Sequence, residues 1–333
     1  MSGPLLLLFG MPRSGTTWIG KIFDSHPDTM YRHEPDTWRR IDALPLLPDP
    51  ADAPRYRDAI VGYADSVRDM ASSRVSGKLP LFPKSYMSGL RLWLIRASVA
   101  LAKVSAKTGH ELPILGTPRD RNNYMVWKSI ESLGRLGPML DFLPSARAVQ
   151  IIRHPCGFVA SVLRGERQSR FVSATAAAED LNLLKMLSAT PVARQYGLTF
   201  DRIERMSPHQ RLAWRWLVFN ETAYQACADN GRYRYLVYED LCRDPMRQTR
   251  ALLEFAGLPW STQTERFLES STGTNKSDYY AIQKDPIAAA ERWREELDAS
   301  VIEEILSITQ ISKVGRLYEC GRENQLADQN SDL

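Results

Sequence analysis

Cysteine is scarce in this chain: there are four in 333 residues. Cys156, Cys227, Cys242 and Cys320 lie far apart with no C-x-x-C spacing, which excludes the usual thiolate zinc site and a disulfide scaffold and fits a reduced compartment. Histidine is as sparse, and the pair His33-Glu34 starts an H-E step that Thr37 fails to complete as H-E-x-x-H, so no metal is expected. Long apolar runs are missing as well. The longest near the start is Leu5 to Phe9, with no basic residue before it, so neither a signal peptide nor a membrane span is expected and the chain reads as cytoplasmic. Charge of one sign is nearly balanced, with 43 Lys and Arg against 39 Asp and Glu. A net charge of +4 is too mild for a nucleic-acid coat but suits a protein that handles anions.

What is present is the pattern of an α/β protein. Short, mostly apolar runs bounded by turn residues, at Leu5 to Phe9, Tyr124 to Trp127, Ala148 to Ile152 and Tyr235 to Tyr238, read as buried parallel strands. Helical patterns alternate with them at Thr16 to Ser25, Pro155 to Arg164, Pro208 to Ala228 and Met246 to Ala256. The alternation implies right-handed crossovers and three layers, a parallel sheet with helices on both faces, whose ligands bind beyond the carboxyl ends of the strands. From about 45 to 118 a proline-rich entry and the stretch "KSYMSGLRLWLIRASVALAKVSAKTG" interrupt the rhythm and read as an inserted helical subdomain. After about Thr272 the chain turns polar, then helical through "AAAERWREELDASVIEEIL", and residues 321–333 read as a disordered tail.

The segment "LLLLFGMPRSGTTWIGKIF" has the frame of a phosphate-binding loop without its defining residue. In G-x-x-x-x-G-K-[ST], backbone amides surround the phosphates and a lysine reaches the terminal ones. Here Gly10 and Gly15 keep the spacing and Thr17 the hydroxyl place, but Thr16 stands for the lysine and Arg13 is the cation inside the loop. The amides of Ser14, Gly15, Thr16 and Thr17 would open a helix, where free N–H groups and the macrodipole favour an anion. Each dipole interaction is worth roughly 0.3–1 kcal/mol.

The strand "AVQIIRHP" ends in Arg153 where a magnesium-holding loop partner would end in Asp, so the site offers a forked donor to a phosphate. Pro155 suits a first helical turn, and Ser161 six residues on lies about 9 Å along that helix. A long arginine and a small hydroxyl can then converge on one anion.

"GMPRSGTTW" followed by "IIRHPCGFVASVLRG" resembles the sulfotransferases that use 3′-phosphoadenosine 5′-phosphosulfate (PAPS), and "RYLVYEDLCRDP" and "ERWREEL" are similar to segments of their bacterial and carbohydrate branches. The resemblance spans nearly the whole chain outside the 45–118 insertion. It implies a P-loop-like sulfotransferase fold, one domain over 1–320 with the insertion as a lid or acceptor subdomain, and sulfuryl transfer from PAPS, leaving adenosine 3′,5′-bisphosphate (PAP), without metal. On this likeness Arg13 contacts the leaving phosphate, Trp18 stacks on adenine, Arg153 and Ser161 hold the 3′-phosphate, and Lys276 is the nearest stand-in for a C-terminal basic contact. Arginine and loop amides aimed at the departing oxygen stabilise its charge by preorganised electrostatics.

The acceptor must lose a proton as it attacks sulfur, so a general base is needed. The histidine of the cytosolic branch is absent, since "VWKSIES" has Ile130 in its place, after Lys128 and Ser129. Other branches carry a glutamate in a Glu-Pro step, and "YRHEPD" supplies Glu34, with His33 and Glu131 as competitors and Lys128 as an aid to the leaving oxygen. The acceptor is a hydroxyl or amine on a small molecule, lipid or carbohydrate; oligomeric state stays open. On a helical wheel Arg96, Lys103 and Lys107 share one arc and Leu90, Leu94, Ala97 and Leu101 another, which fits a lid, a subdomain helix with solvated lysines, or peripheral contact of 84–107 with anionic lipid. Rival readings are a P-loop kinase or hydrolase with a degenerate loop, with Asp240 holding magnesium or merely capping the next segment, and a nucleotide-binding module without chemistry.

Overall fold

The computed structural model describes residues 3–106, 110, 112–118, 120, 122–168, 178–272 and 286–319. Lys107, Lys276, Cys320 and the 321–333 tail, all singled out above, lie outside the described residues.

Five strands, β1 (Leu5–Gly10), β2 (Thr29–His33), β3 (Tyr124–Ser129), β4 (Ala146–Ile152) and β5 (Tyr233–Val237), form a wholly parallel sheet in the order β2-β3-β1-β4-β5. β1 sits in the middle and is buried along its whole length, which is why it reads as a continuous leucine run. Its side chains alternate between the layers. Leu5, Leu7 and Phe9 join the core beneath the helices Arg57–Asp69, Leu136–Phe142, Pro155–Arg167 and Pro208–Cys227. Leu6 and Leu8 join the opposite core with Ile19, Ile22 and Phe23 of the helix Thr16–Ser25 and Leu252, Leu253, Phe267 and Leu268 of the helices Pro245–Ala256 and Thr262–Thr272. Each such side chain contributes about 1.5–3 kcal/mol, so the central strand is gripped from both sides.

Helix starts are written as cap plus proline: His154 before Pro155, Ser207 before Pro208, Asp244 before Pro245. Ser207 and Gln210 complete a capping box. Asp244, not Asp240, caps the helix Pro245–Ala256; Asp240 lies within the helix Tyr238–Arg243 that directly follows β5 and pairs with Arg243 at 2.8 Å. Tyr238, expected at the end of a strand, opens that helix instead.

Buried cations fasten the helical segment between β2 and β3 to the sheet edge. Arg32 of β2 donates to the carbonyls of Val67, Arg68 and Pro118 at 3.2, 2.7 and 2.8 Å. Lys84 reaches Asp24 of the first helix at 3.1 Å, and Lys21 pairs with the same carboxylate. These positions look like surface charges in sequence because only the fold shows what they bond.

Candidate active site

Loop geometry begins with two glycines. A Cβ on Gly10 would lie 2.8 Å from the Ile151 carbonyl oxygen of β4, so the close approach of β1 and β4 needs its absence. Gly15 has φ 77° and a Cβ there would fall 2.2 Å from the Tyr238 ring. Arg13 is also left-handed, at φ 71°, a costly state for a branched-out side chain that the loop nevertheless holds. No side chain caps the helix that follows, so its amino end faces the loop with backbone donors alone. Ser14 and Thr16 are buried, while Thr17 is half-buried.

Arg13 Nε donates to Ser161 Oγ at 3.0 Å, and Arg153 Nη1 donates to the Arg13 carbonyl at 2.7 Å. The expected pair Arg153 and Ser161 therefore comes together through Arg13, which bridges them. Arg153 Nη2 donates to the Ala289 carbonyl at 2.8 Å, and its guanidinium lies 5.2 Å from the centre of the Tyr238 ring. Its buried Nε has no hydrogen-bond partner among the described residues. A buried guanidinium donor left unmet is costly unless an anion meets it, and the neighbouring positive groups make an anion the fitting partner.

The backbone beneath is fixed. Trp216 Nε1 donates to the Arg153 carbonyl at 2.9 Å, and the His154 amide donates to Glu239 at 3.0 Å. His154 Nδ1 accepts from the Cys156 amide at 3.2 Å while its ring stacks on Trp293 at 4.4 Å. Burial, then the charges of Arg294 and Arg153, push the His154 imidazole down to about 3, so it is neutral there. Tyr238, His154, Trp293 and Glu239, which brace the turn at Arg153, were not singled out from the sequence; "RYLVYEDL" and "ERWREEL" held three of them.

The second group of residues forms at the end of β2. Parallel register sets His33 beside Lys128, so the next residue, Glu34, emerges at the lip of β3, where its amide donates to the Lys128 carbonyl at 2.8 Å. The Glu34 carboxylate is hydrogen-bonded to the buried Lys128 ammonium and remains partly open to solvent. Burial lowers the Lys128 pKa, against the pull of Glu34. Glu34 is left-handed at φ 47°, and the turn is held by the buried Asp36, which accepts from Ser129, Ser132 and Trp127. His33 Nε2 lies 3.8 Å from Glu34, with Nδ1 engaged by the Tyr31 hydroxyl at 2.9 Å. Burial first and Lys128 second drive the His33 pKa far down, so it is a weak base. Burial raises the Glu131 pKa, and Asp36 adds to it.

Trp18 is buried in the second core. Its Nε1 donates to Ser271 at 3.0 Å and its ring meets Tyr238 edge-on. Both groups of functional residues thus lie past the carboxyl ends of β1, β2, β3 and β4, as a doubly wound sheet requires.

A parallel sheet with a glycine loop after its central strand, Arg13 inside that loop, Arg153 after β4 and a Glu-Lys pair at the end of β2 and β3 has the architecture of a P-loop-like fold. A sequence profile of the sulfotransferase family matches residues 4–262, a range that includes the 45–118 insertion. Carbohydrate sulfotransferase 6 of Homo sapiens is 25% identical over 330 residues, covering 90% of this chain and 77% of that protein. Carbohydrate sulfotransferase 5 of Mus musculus is 25% identical over 324 residues with the same coverage. The sulfotransferase domain of the Synechococcus PCC 7002 olefin synthase is similar at 16% identity and a TM-score of 0.45, covering 96% of this chain and 98% of that one. The chain belongs to the sulfotransferase family and is an enzyme of sulfuryl transfer.

Proposed function

We propose that this enzyme takes the sulfuryl group from PAPS and passes it to a hydroxyl, with Glu34 as general base. The observation that carries the reading is the buried Arg153 Nε, which has no hydrogen-bond partner among the described residues, beside the Arg13–Ser161 hydrogen bond, since these donors suit an anion at the mouth of a glycine loop. Arg153 and Ser161 would hold the 3′-phosphate, and Arg13 with the amides of Ser14 to Thr17 would receive the 5′-phosphate. Glu34 takes the proton of the acceptor hydroxyl. The acceptor oxygen forms a bond to sulfur, the bond from sulfur to the 5′-phosphate oxygen breaks, and its electron pair stays on that phosphate, next to Arg13. Lys128, hydrogen-bonded to the carboxylate, keeps Glu34 aimed. The carbohydrate sulfotransferases to which the chain is similar favour a sugar hydroxyl as acceptor.

The test is thermal stabilisation by PAP with chelator present, against magnesium ATP, in the wild type and Arg153→Ala. A ligand at about a hundred times its dissociation constant adds about 2.7 kcal/mol to stability. A shift with PAP that the variant loses supports the reading; stabilisation by magnesium ATP alone overturns it in favour of a nucleotide hydrolase or kinase.

A further inference from the structure

The helix Gly89–Ala106 in the insertion turns its apolar side outward. It packs inward through Ile95, Val99 and Ala102, with Ile114 alongside, in a small core of its own. The arc of Leu90, Leu94, Ala97 and Leu101 faces solvent. Leu90 is 70% exposed, Trp93 63%, Leu101 61% and Val104 64%. At 3.6 residues per turn these positions, with Leu94 and Ala97, fill one continuous stripe roughly 120° wide along the helix. Apolar side chains scattered singly on a surface are ordinary, whereas a contiguous stripe with a tryptophan in it marks a docking face.

Charge identifies what docks there. Arg96 and Lys103 are exposed along one flank of the stripe; Arg96 also donates to the Leu81 carbonyl at 3.0 Å. An apolar stripe with a tryptophan and a cationic border is the form of a helix lying in the plane of a bilayer interface. It does not span: no helix among the described residues is long and apolar enough to cross a membrane.

We infer that the outward face of Gly89–Ala106 docks this enzyme on an anionic phospholipid bilayer, with Trp93 and Leu101 inserted at the interface and Lys103 against the headgroups. The inference is independent of the donor and base assigned above. The helix is nonetheless tied to the catalytic corner. Phe82, next to the Leu81 that Arg96 bonds, lies against Lys21, whose ammonium also sits over the Tyr31 ring, and Tyr31 meets His33.

The experiment is sedimentation of the full chain with vesicles of phosphatidylcholine alone or with about 30% phosphatidylserine, for the wild type, Trp93→Glu/Leu101→Glu and Lys103→Glu. Because the three side chains are exposed, melting temperatures should match, and this is measured alongside. Expected are binding to the anionic vesicles, a loss of at least about tenfold in the double variant, and a smaller loss in Lys103→Glu that mirrors the weakening of the wild type by salt. No vesicle binding, equal binding to neutral vesicles, or binding unchanged in the double variant overturns the inference. So does a concentration-dependent dimer that the double variant abolishes in a chain that ignores vesicles, since the face would then belong to a second copy.

Discussion

Arg13 and Ser161 stand 148 residues apart in sequence and share a hydrogen bond of 3.0 Å between Nε and Oγ. The contact joins the loop after β1 to the helix after β4, so one bond sets the two ends of the proposed anion site. Its geometry depends on the left-handed Arg13 backbone, whose carbonyl Arg153 holds. Ser161→Ala should therefore weaken PAP binding by about tenfold, or about 1.4 kcal/mol, by calorimetric titration, with little change in melting temperature. Unchanged affinity would remove Ser161 from the site.

Glu34→Gln keeps the shape of the side chain and removes its charge and basicity. Turnover should fall by about a hundred- to ten-thousandfold while PAP affinity stays within about threefold. The variant should also melt lower, because the buried Lys128 loses its counter-charge. A Glu34→Gln enzyme that turns over normally would move the base elsewhere, to Glu131 before the poorly basic His33.

Gly15→Ala tests the loop's packing. The new methyl group would meet the Tyr238 ring and require a non-glycine residue at φ 77°. Together these should cost about 1–3 kcal/mol in urea unfolding and loosen PAP binding. Ala tolerated at position 15 without loss would show that Tyr238 does not seal the loop.

His154 makes stability depend on pH. Its folded pKa is pushed down to about 3 from the usual 6.5, so between those values the unfolded chain binds a proton that the folded chain does not. The contribution is therefore fully present above pH 6.5 and lost as pH falls toward 3. Asn at this position keeps a cap acceptor for the Cys156 amide but does not titrate. Unfolding free energy measured from pH 7 to 4 should fall more steeply in wild type than in His154→Asn, by up to about 1.4 kcal/mol per pH unit. Parallel curves would place His154 in solvent.

Much of the fold was legible because local rules wrote it. The β1 leucines, the cap-proline starts at 155 and 208 and the glycine spacing at 10 and 15 are all short-range signals. The proposed base was legible only through the Glu-Pro step after a strand, and β2 itself, "TMYRH", is too polar to stand out, since its Arg32 is buried against the carbonyls of Arg68 and Pro118. The wheel for Gly89–Ala106 separated apolar from basic arcs but not inside from outside. Alternation along one helix is indifferent to which arc meets a partner.

The strand and helix types, the phosphate-loop frame with Thr16 at its lysine place and Arg13 inside it, and Arg153 where an aspartate would stand all rest on residues within a few positions of one another, so local sequence suffices for them. That Arg13 bridges Arg153 to Ser161, that Lys128 meets Glu34, that Tyr238 closes on Gly15 and that Trp93 points to solvent could come from the fold alone. Those are contacts between segments brought together by strand order and register. A side chain's partner is fixed by distance in space, and distance in space follows from how the sheet is wound.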